Sequence, residues 1–209
     1  MRVVVAVIVA VVLVAAAVPA SAMTFKFGTT GDGLRVVVAS GEIKQADARR
    51  RVRALAEAGR DRHGTKRLYL DSPGGAVSEA MKMAEVMKAE GVSAIVRKGA
   101  VCASACASVL FVSGRYRTVE EGGALAIHGC YNALSGRPAT GCNAAISAHA
   151  DSVGVSGLTM MVLQEAAGAD AVLYFDAENA ACFGLTLKPG ARPSNGTPPC
   201  MAEALRGTW

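Results

Sequence analysis

The sequence predicts an α/β fold built as a single domain, and three observations carry that prediction. Short runs at 24–27, 34–39, 67–70, 92–96, 117–119 and 124–127, rich in β-branched and other apolar residues, read as strands, helical stripes stand between several of them, and no stretch repeats another. Strands that alternate with helices imply βα units, in which helices cover the sheet. At 209 residues the chain is long enough for one substantial core.

The first 22 residues stand apart from that core. Met1-Arg2 is a minimal basic start, 3–18 is an unbroken apolar run, and Pro19-Ala20-Ser21-Ala22 ends in A-x-A, which together read as a secretory signal peptide cleaved after Ala22. The apolar run is 16 residues, short of the roughly 20 that a membrane span needs, and no basic stop-transfer flank follows it. No stable membrane span is therefore expected after cleavage, and the mature chain is expected to be exported to the periplasm. The chain is mildly basic, with 22 Lys+Arg against 17 Asp+Glu. Its densest basic run, Arg49-Arg50-Arg51-Val52-Arg53, fits the solvated face of an amphipathic helix, so nucleic acid is excluded as a partner.

The runs at 24–27 and 34–39 read as two strands joined through a Gly/Thr/Asp-rich turn, a plausible hairpin. Residues 45–58 place Val52, Leu55 and Ala56 opposite the arginines, and Gly59 supplies a helix stop. A strand at 67–70 follows and runs into Asp71-Ser72-Pro73-Gly74-Gly75. Residues 76–90 carry Val77, Ala80, Met81, Ala84 and Met87 on one stripe and end at Gly91. After strands at 92–96, 117–119 and 124–127, residues 130–141 read as a surface loop, and 143–150 and 158–167 as weak helices. Asp176 is an N-cap for a helix through Phe183, and 188–209 reads as an extended, proline-containing tail.

Between the strands at 92–96 and 117–119 lies the stretch 99–114, G-A-V-C-A-S-A-C-A-S-V-L-F-V-S-G. Its small residues surround Ser104 and its large apolar residues follow one turn later, so Ser104 is expected at the exposed mouth of a buried helix. A helix start leaves amide donors free and favours a developing anion, which suits a nucleophile. Two further features fall in an order suited to acyl transfer. The Pro-Gly-Gly turn at 73–75 lets backbone amides point at a ligand, half of an oxyanion hole, and Ala105 offers a second amide beside Ser104. His128 ends a strand, is one of three histidines, and is the side chain suited to activating a weakly nucleophilic hydroxyl.

S-P-G-G at 72–75, C-A-S-A-C-A-S-V-L-F-V-S-G at 102–114, A-L-A-I-H at 124–128 and D-A-E-N-A-A-C-F-G-L at 176–185 resemble the Clp-protease proteolytic subunit of the crotonase-like superfamily, most of all its small exported relatives with cysteines on both sides of the serine. The resemblance spans roughly 36–187, and the mature domain is taken as 23–187. It implies a ββα-spiral fold in which Ser104 attacks a carbonyl, His128 removes the serine's proton, and the amides of Gly75 and Ala105 hold the oxyanion. Peptide or protein substrates follow from it, as does a homo-oligomer, and no metal or other cofactor is called for. The chain departs from the pattern at the third triad member. Aligned on Gly184-Leu185, the family's aspartate falls on Val172, so Asp170, two residues earlier, is chosen as the acid; a dyad supported by a backbone carbonyl or water stays open.

All six cysteines lie beyond the signal peptide, as expected of disulfides in an oxidising compartment. Cys130 with Cys142 and Cys182 with Cys200 are the expected pairs. Cys102 and Cys106 read either as a strained disulfide over the serine or as small buried thiols; the thiols are preferred, because C-x3-C on a helix gives only an approximate pairing geometry. His63 and His149 are expected at the surface. The expected activity is an exported serine hydrolase, a peptidase working through an acyl-enzyme. The first rival is an inactive relative that keeps the fold as a periplasmic peptide- or protein-binding module; the second, weaker, is a crotonase-type enzyme on acyl thioesters.

Overall fold

The computed structural model describes residues 22–132, 135–169 and 171–206. All of the expected leader but its last residue, and with it Asp170, lies outside the described residues. The fold is the expected α/β spiral. β1 (Thr24–Thr29) and β2 (Arg35–Ser40) form the hairpin, antiparallel with Phe25 opposite Ala39. β3 (Lys66–Asp71), β4 (Val92–Val96) and β6 (Arg117–Val119) then add in parallel, giving the order β1-β2-β3-β4-β6. A second sheet has the order β5-β7-β8, from β5 (Val101–Ala103), β7 (Ala124–Ile127) and β8 (Leu173–Phe175).

Helices α1 (Asp47–Ala56) and α2 (Val77–Glu90) are the parallel crossovers and pack on each other. The α2 stripe buries Ala80, Met83, Ala84 and Met87, with Met83 in the core and the expected Val77 and Met81 only half-buried, and Gly91 closes the helix in the left-handed conformation. α3 (Thr140–Ser152) and α4 (Gly157–Ala167) pack as a pair after the loop, and α5 (Ala177–Cys182) is capped by Asp176, whose carboxylate accepts the Asn179 N–H. The C-terminal segment is not extended throughout: Pro199–Leu205 forms α6, with proline at the helix start where its missing N–H costs nothing. No helix among the described residues is long and apolar enough to cross a membrane.

The stretch 99–114 differs most from expectation. It begins as β5, turns at Ser104, and only then enters a π-helical segment, Cys106–Phe111, every residue of which is buried. Because Cys102 sits on a strand and Cys106 on a helix, the turn brings their Cα atoms to 5.2 Å and the pair is a disulfide. The expected thiols presumed one continuous helix across both, which the turn at Ser104 breaks. Cys130–Cys142 and Cys182–Cys200 are also disulfides, and no described cysteine is free.

Arg117 fixes the region behind the π-helical segment. Its buried guanidinium donates to the carbonyls of Leu185, Val112, Gly114, Val153 and Gly154, tying the C-terminal half of the chain to that segment's exit. Burial lowers its pKa to about 10, and the ring of carbonyls is what keeps a cation there.

Candidate active site

The site is built where the two sheets meet. Ser72, just past β3, bridges to Cys102 of β5: its N–H donates to the Val101 carbonyl, and its own carbonyl accepts the Ala103 N–H. That bridge carries the glycine turn against Ser104. A Cβ on Gly74 would lie 2.6 Å from the Ser104 Cβ and 2.6 Å from the Ala103 carbonyl, so the turn reaches the serine only because no side chain intervenes. Gly75, at φ +136°, is held from the other side by the segment before α1; a Cβ there would meet the Ile43 carbonyl at 2.3 Å. Ile43 donates its N–H to the Gly74 carbonyl and accepts the Ala76 N–H.

Ser104 itself has φ +54°, one of two described non-glycine residues with positive φ. Such a conformation costs about 1–3 kcal/mol and persists only when the surroundings impose it. Here the Ser104 N–H donates to the Ala126 carbonyl of β7, and the Ser104 carbonyl accepts both the N–H and the hydroxyl of Ser108. The turn points the serine out of the sheet end. Among the described residues, neither the Gly75 nor the Ala105 amide finds an acceptor, whereas the Gly74 amide is taken by the Ser72 hydroxyl.

His128 follows β7 directly. β5 and β7 pair in parallel with Ala103 beside Ala126, which sets Ser104 and His128 at the same end of the second sheet. Both line one cleft of 980 Å³ together with Gly74, Gly75, Ala105 and Ser108. No hydrogen bond joins Ser104 to the imidazole; unliganded sites often hold this pair apart until substrate arrives. The ring's Nδ1 instead lies 2.8 Å from the Gly129 carbonyl oxygen. The structure thus brings Ser104, His128, Gly75 and Ala105 into one cleft, while Asp170 lies outside the described residues.

Several lining residues were not singled out from sequence. Ser108 had a signal, since it lies four residues after Ser104 and so one turn along a helix. The strip Glu42, Ile43, Lys44 and Gln45 had none, because it joins the site through long-range pairing with Gly75. Tyr131, Ile146 and the Cys130–Cys142 disulfide complete the wall beside His128. His63 is exposed as expected, but His149 is half-buried and bonded to the Ser113 hydroxyl at 2.7 Å.

These features define an α/β spiral of the kind that presents a serine on a strand-to-helix turn, facing a glycine turn across a cleft. A family model described as Clp protease matches residues 32–147, more than half the chain, and the chain belongs to that family. Among solved structures it is similar to the ClpP protease catalytic domain from Plasmodium falciparum, at 16% identity and a TM-score of 0.52, covering 72% of this chain and 83% of that one. A comparison with curated protein sequences found no match.

Proposed function

We propose that this chain is an exported serine hydrolase, a peptidase, acting through an acyl-enzyme on Ser104. The observation that carries the reading is the joint placement on one cleft of a serine at φ +54°, two amides and a histidine Nε2, none of the three nitrogens having a hydrogen-bond partner among the described residues. In this reading Ser104 Oγ attacks the scissile carbonyl as His128 Nε2 takes its proton. The carbonyl oxygen becomes an anion held by the Gly75 and Ala105 amides, donors typically worth a hundred- to thousand-fold in rate each. Collapse then passes the proton from Nε2 to the leaving amine, leaving an ester on Ser104 that water cleaves by the same base. Three disulfides and the apolar leader support export.

One observation favours the rival of an inactive binding module: the family's acid position is Val172, which is exposed and apolar. Labelling with a fluorophosphonate separates the two. Residues 23–209, expressed with disulfides formed, are expected to label, with labelling abolished in Ser104→Ala and reduced at least a hundred-fold in His128→Ala. Labelling that survives Ser104→Ala, or never occurs, overturns the hydrolase reading.

A further inference from the structure

β7 and β8 run antiparallel with Ile127 opposite Leu173, so one step further His128 comes level with Val172. Val172 is also the residue that falls at the family's aspartate position when the chain is aligned on Gly184-Leu185, so that position carries an isopropyl group. The ring's Nδ1 has another partner, the Gly129 carbonyl oxygen at 2.8 Å. A carbonyl only accepts, so Nδ1 carries the proton and Nε2 keeps the lone pair that a general base uses.

That carbonyl is itself held. It belongs to the peptide whose N–H, on Cys130, donates to Asn143 Oδ1 at 2.7 Å, and Asn143 is a buried residue of α3. Linked bonds of this kind polarise one another: a strong acceptor on the N–H makes the carbonyl at the other end of the peptide a stronger acceptor. Gly129 is pinned from behind as well. Its N–H donates to the Gly168 carbonyl at the end of α4, and a Cβ at this position would meet the Gly168 and Gln164 carbonyls at 2.9 and 3.0 Å.

We infer that Asn143 is a positioning residue for the proposed reaction: through the Gly129–Cys130 peptide it sets the orientation and tautomer of His128, the task a triad carboxylate performs elsewhere. The inference rests on the hydrolase reading, and its test has a readout that needs no activity. Nitrogen NMR of histidine-labelled protein at a pH where the ring is neutral, assigned by the signal lost in His128→Ala, should show Nδ1 protonated and Nε2 bare. Asp170→Asn should leave that pattern unchanged, whereas Asn143→Ala should raise the Nε2–H population and slow fluorophosphonate labelling about 10- to 100-fold. Asn143→Asp, which keeps the acceptor, should return both to within about threefold of the parent. A swap of tautomer in Asp170→Asn overturns the inference and assigns the task to that carboxylate. An Asn143→Ala protein with unchanged tautomer and labelling overturns it equally. If the parent never labels, the hydrolase reading falls while the tautomer result still decides how His128 is held.

Discussion

Replacing Gly75 by alanine tests the oxyanion assignment most directly, because the glycine contributes an amide and no side chain. At φ +136° an added Cβ would sit 2.3 Å from the Ile43 carbonyl oxygen and 2.9 Å from the Ile43 nitrogen, so backbone has to move. Strain of this kind costs about 1–3 kcal/mol. For a domain of this size each kcal/mol lowers the melting temperature by about 2–4 °C, so the variant should melt roughly 2–12 °C below the parent and still fold. Moving the amide out of line removes one donor, which predicts a hundred- to thousand-fold slower acylation. The assay is the second-order rate of fluorophosphonate labelling at a temperature where both proteins are folded, with circular dichroism melts alongside. Gly64→Ala is the control: φ is +73° there, but no atom lies within 4 Å of the added Cβ and the residue is remote from the cleft lining. It should lose stability and label at the parental rate. Folded Gly75→Ala that labels within about threefold of the parent would refute the assignment, as would equal rate losses in both variants.

Three further outcomes follow from the rest of the molecule. Replacing Cys182 and Cys200 by alanine opens an 18-residue separation between α5 and α6, which costs about 3 kcal/mol in the chain-entropy account and should lower the melting temperature by roughly 6–12 °C without changing labelling. Arg117→Met should be far more damaging: five carbonyls lose their donor, a cost of at least about 3–5 kcal/mol, read as a melting temperature lowered by roughly 10 °C or more. His149 gives a pH dependence. Burial, the largest cause, holds its pKa below the ordinary 6.5, with Glu85 opposing and Lys88 reinforcing the shift. The unfolded chain therefore takes up the proton first, so stability present at neutral pH declines as pH falls below 6.5 toward the lower folded value. Melts between pH 7.5 and pH 5 should be flatter for His149→Gln, and an unchanged slope would show that His149 carries none of the acid loss.

The elements that sequence made legible are those whose pattern repeats locally. Val92–Val96 and Ala124–Ile127 lie where their apolar runs put them, Arg117–Val119 matches its expected bounds, and α2 ends at its glycine. The elements missed are short and decided by distant partners. β8 is three residues with Tyr174 exposed, and exists through pairing with β7; α6 is fastened by the disulfide at Cys200. In the site, Ser104, His128 and the glycine turn were legible as motifs. Asn143 was not, because nothing along the chain relates it to His128: a surface loop and a disulfide return α3 to the base.

The turn at Ser104 shows why the surrounding residues have to be small. Gly74 passes at contact distance, and Ala103, Ala105 and Ala107 leave room for that approach and for the second sheet. Small residues alone would leave the serine free to relax out of its unfavourable φ. Three hydrogen bonds oppose that relaxation, from Ser104 N–H to Ala126 and from the Ser108 N–H and hydroxyl to the Ser104 carbonyl, at about 1 kcal/mol each. The Cys102–Cys106 link closes the same turn and removes about 2 kcal/mol of chain entropy from the unfolded state. Together these exceed the 1–3 kcal/mol of strain at one residue, so the turn is held by pairing and cross-linking rather than by any local preference for that conformation. His128 is held in the same manner: its Nδ1 lies 2.8 Å from the Gly129 carbonyl oxygen, and the residues around that carbonyl are fixed in turn by Asn143 and by the Gly168 carbonyl.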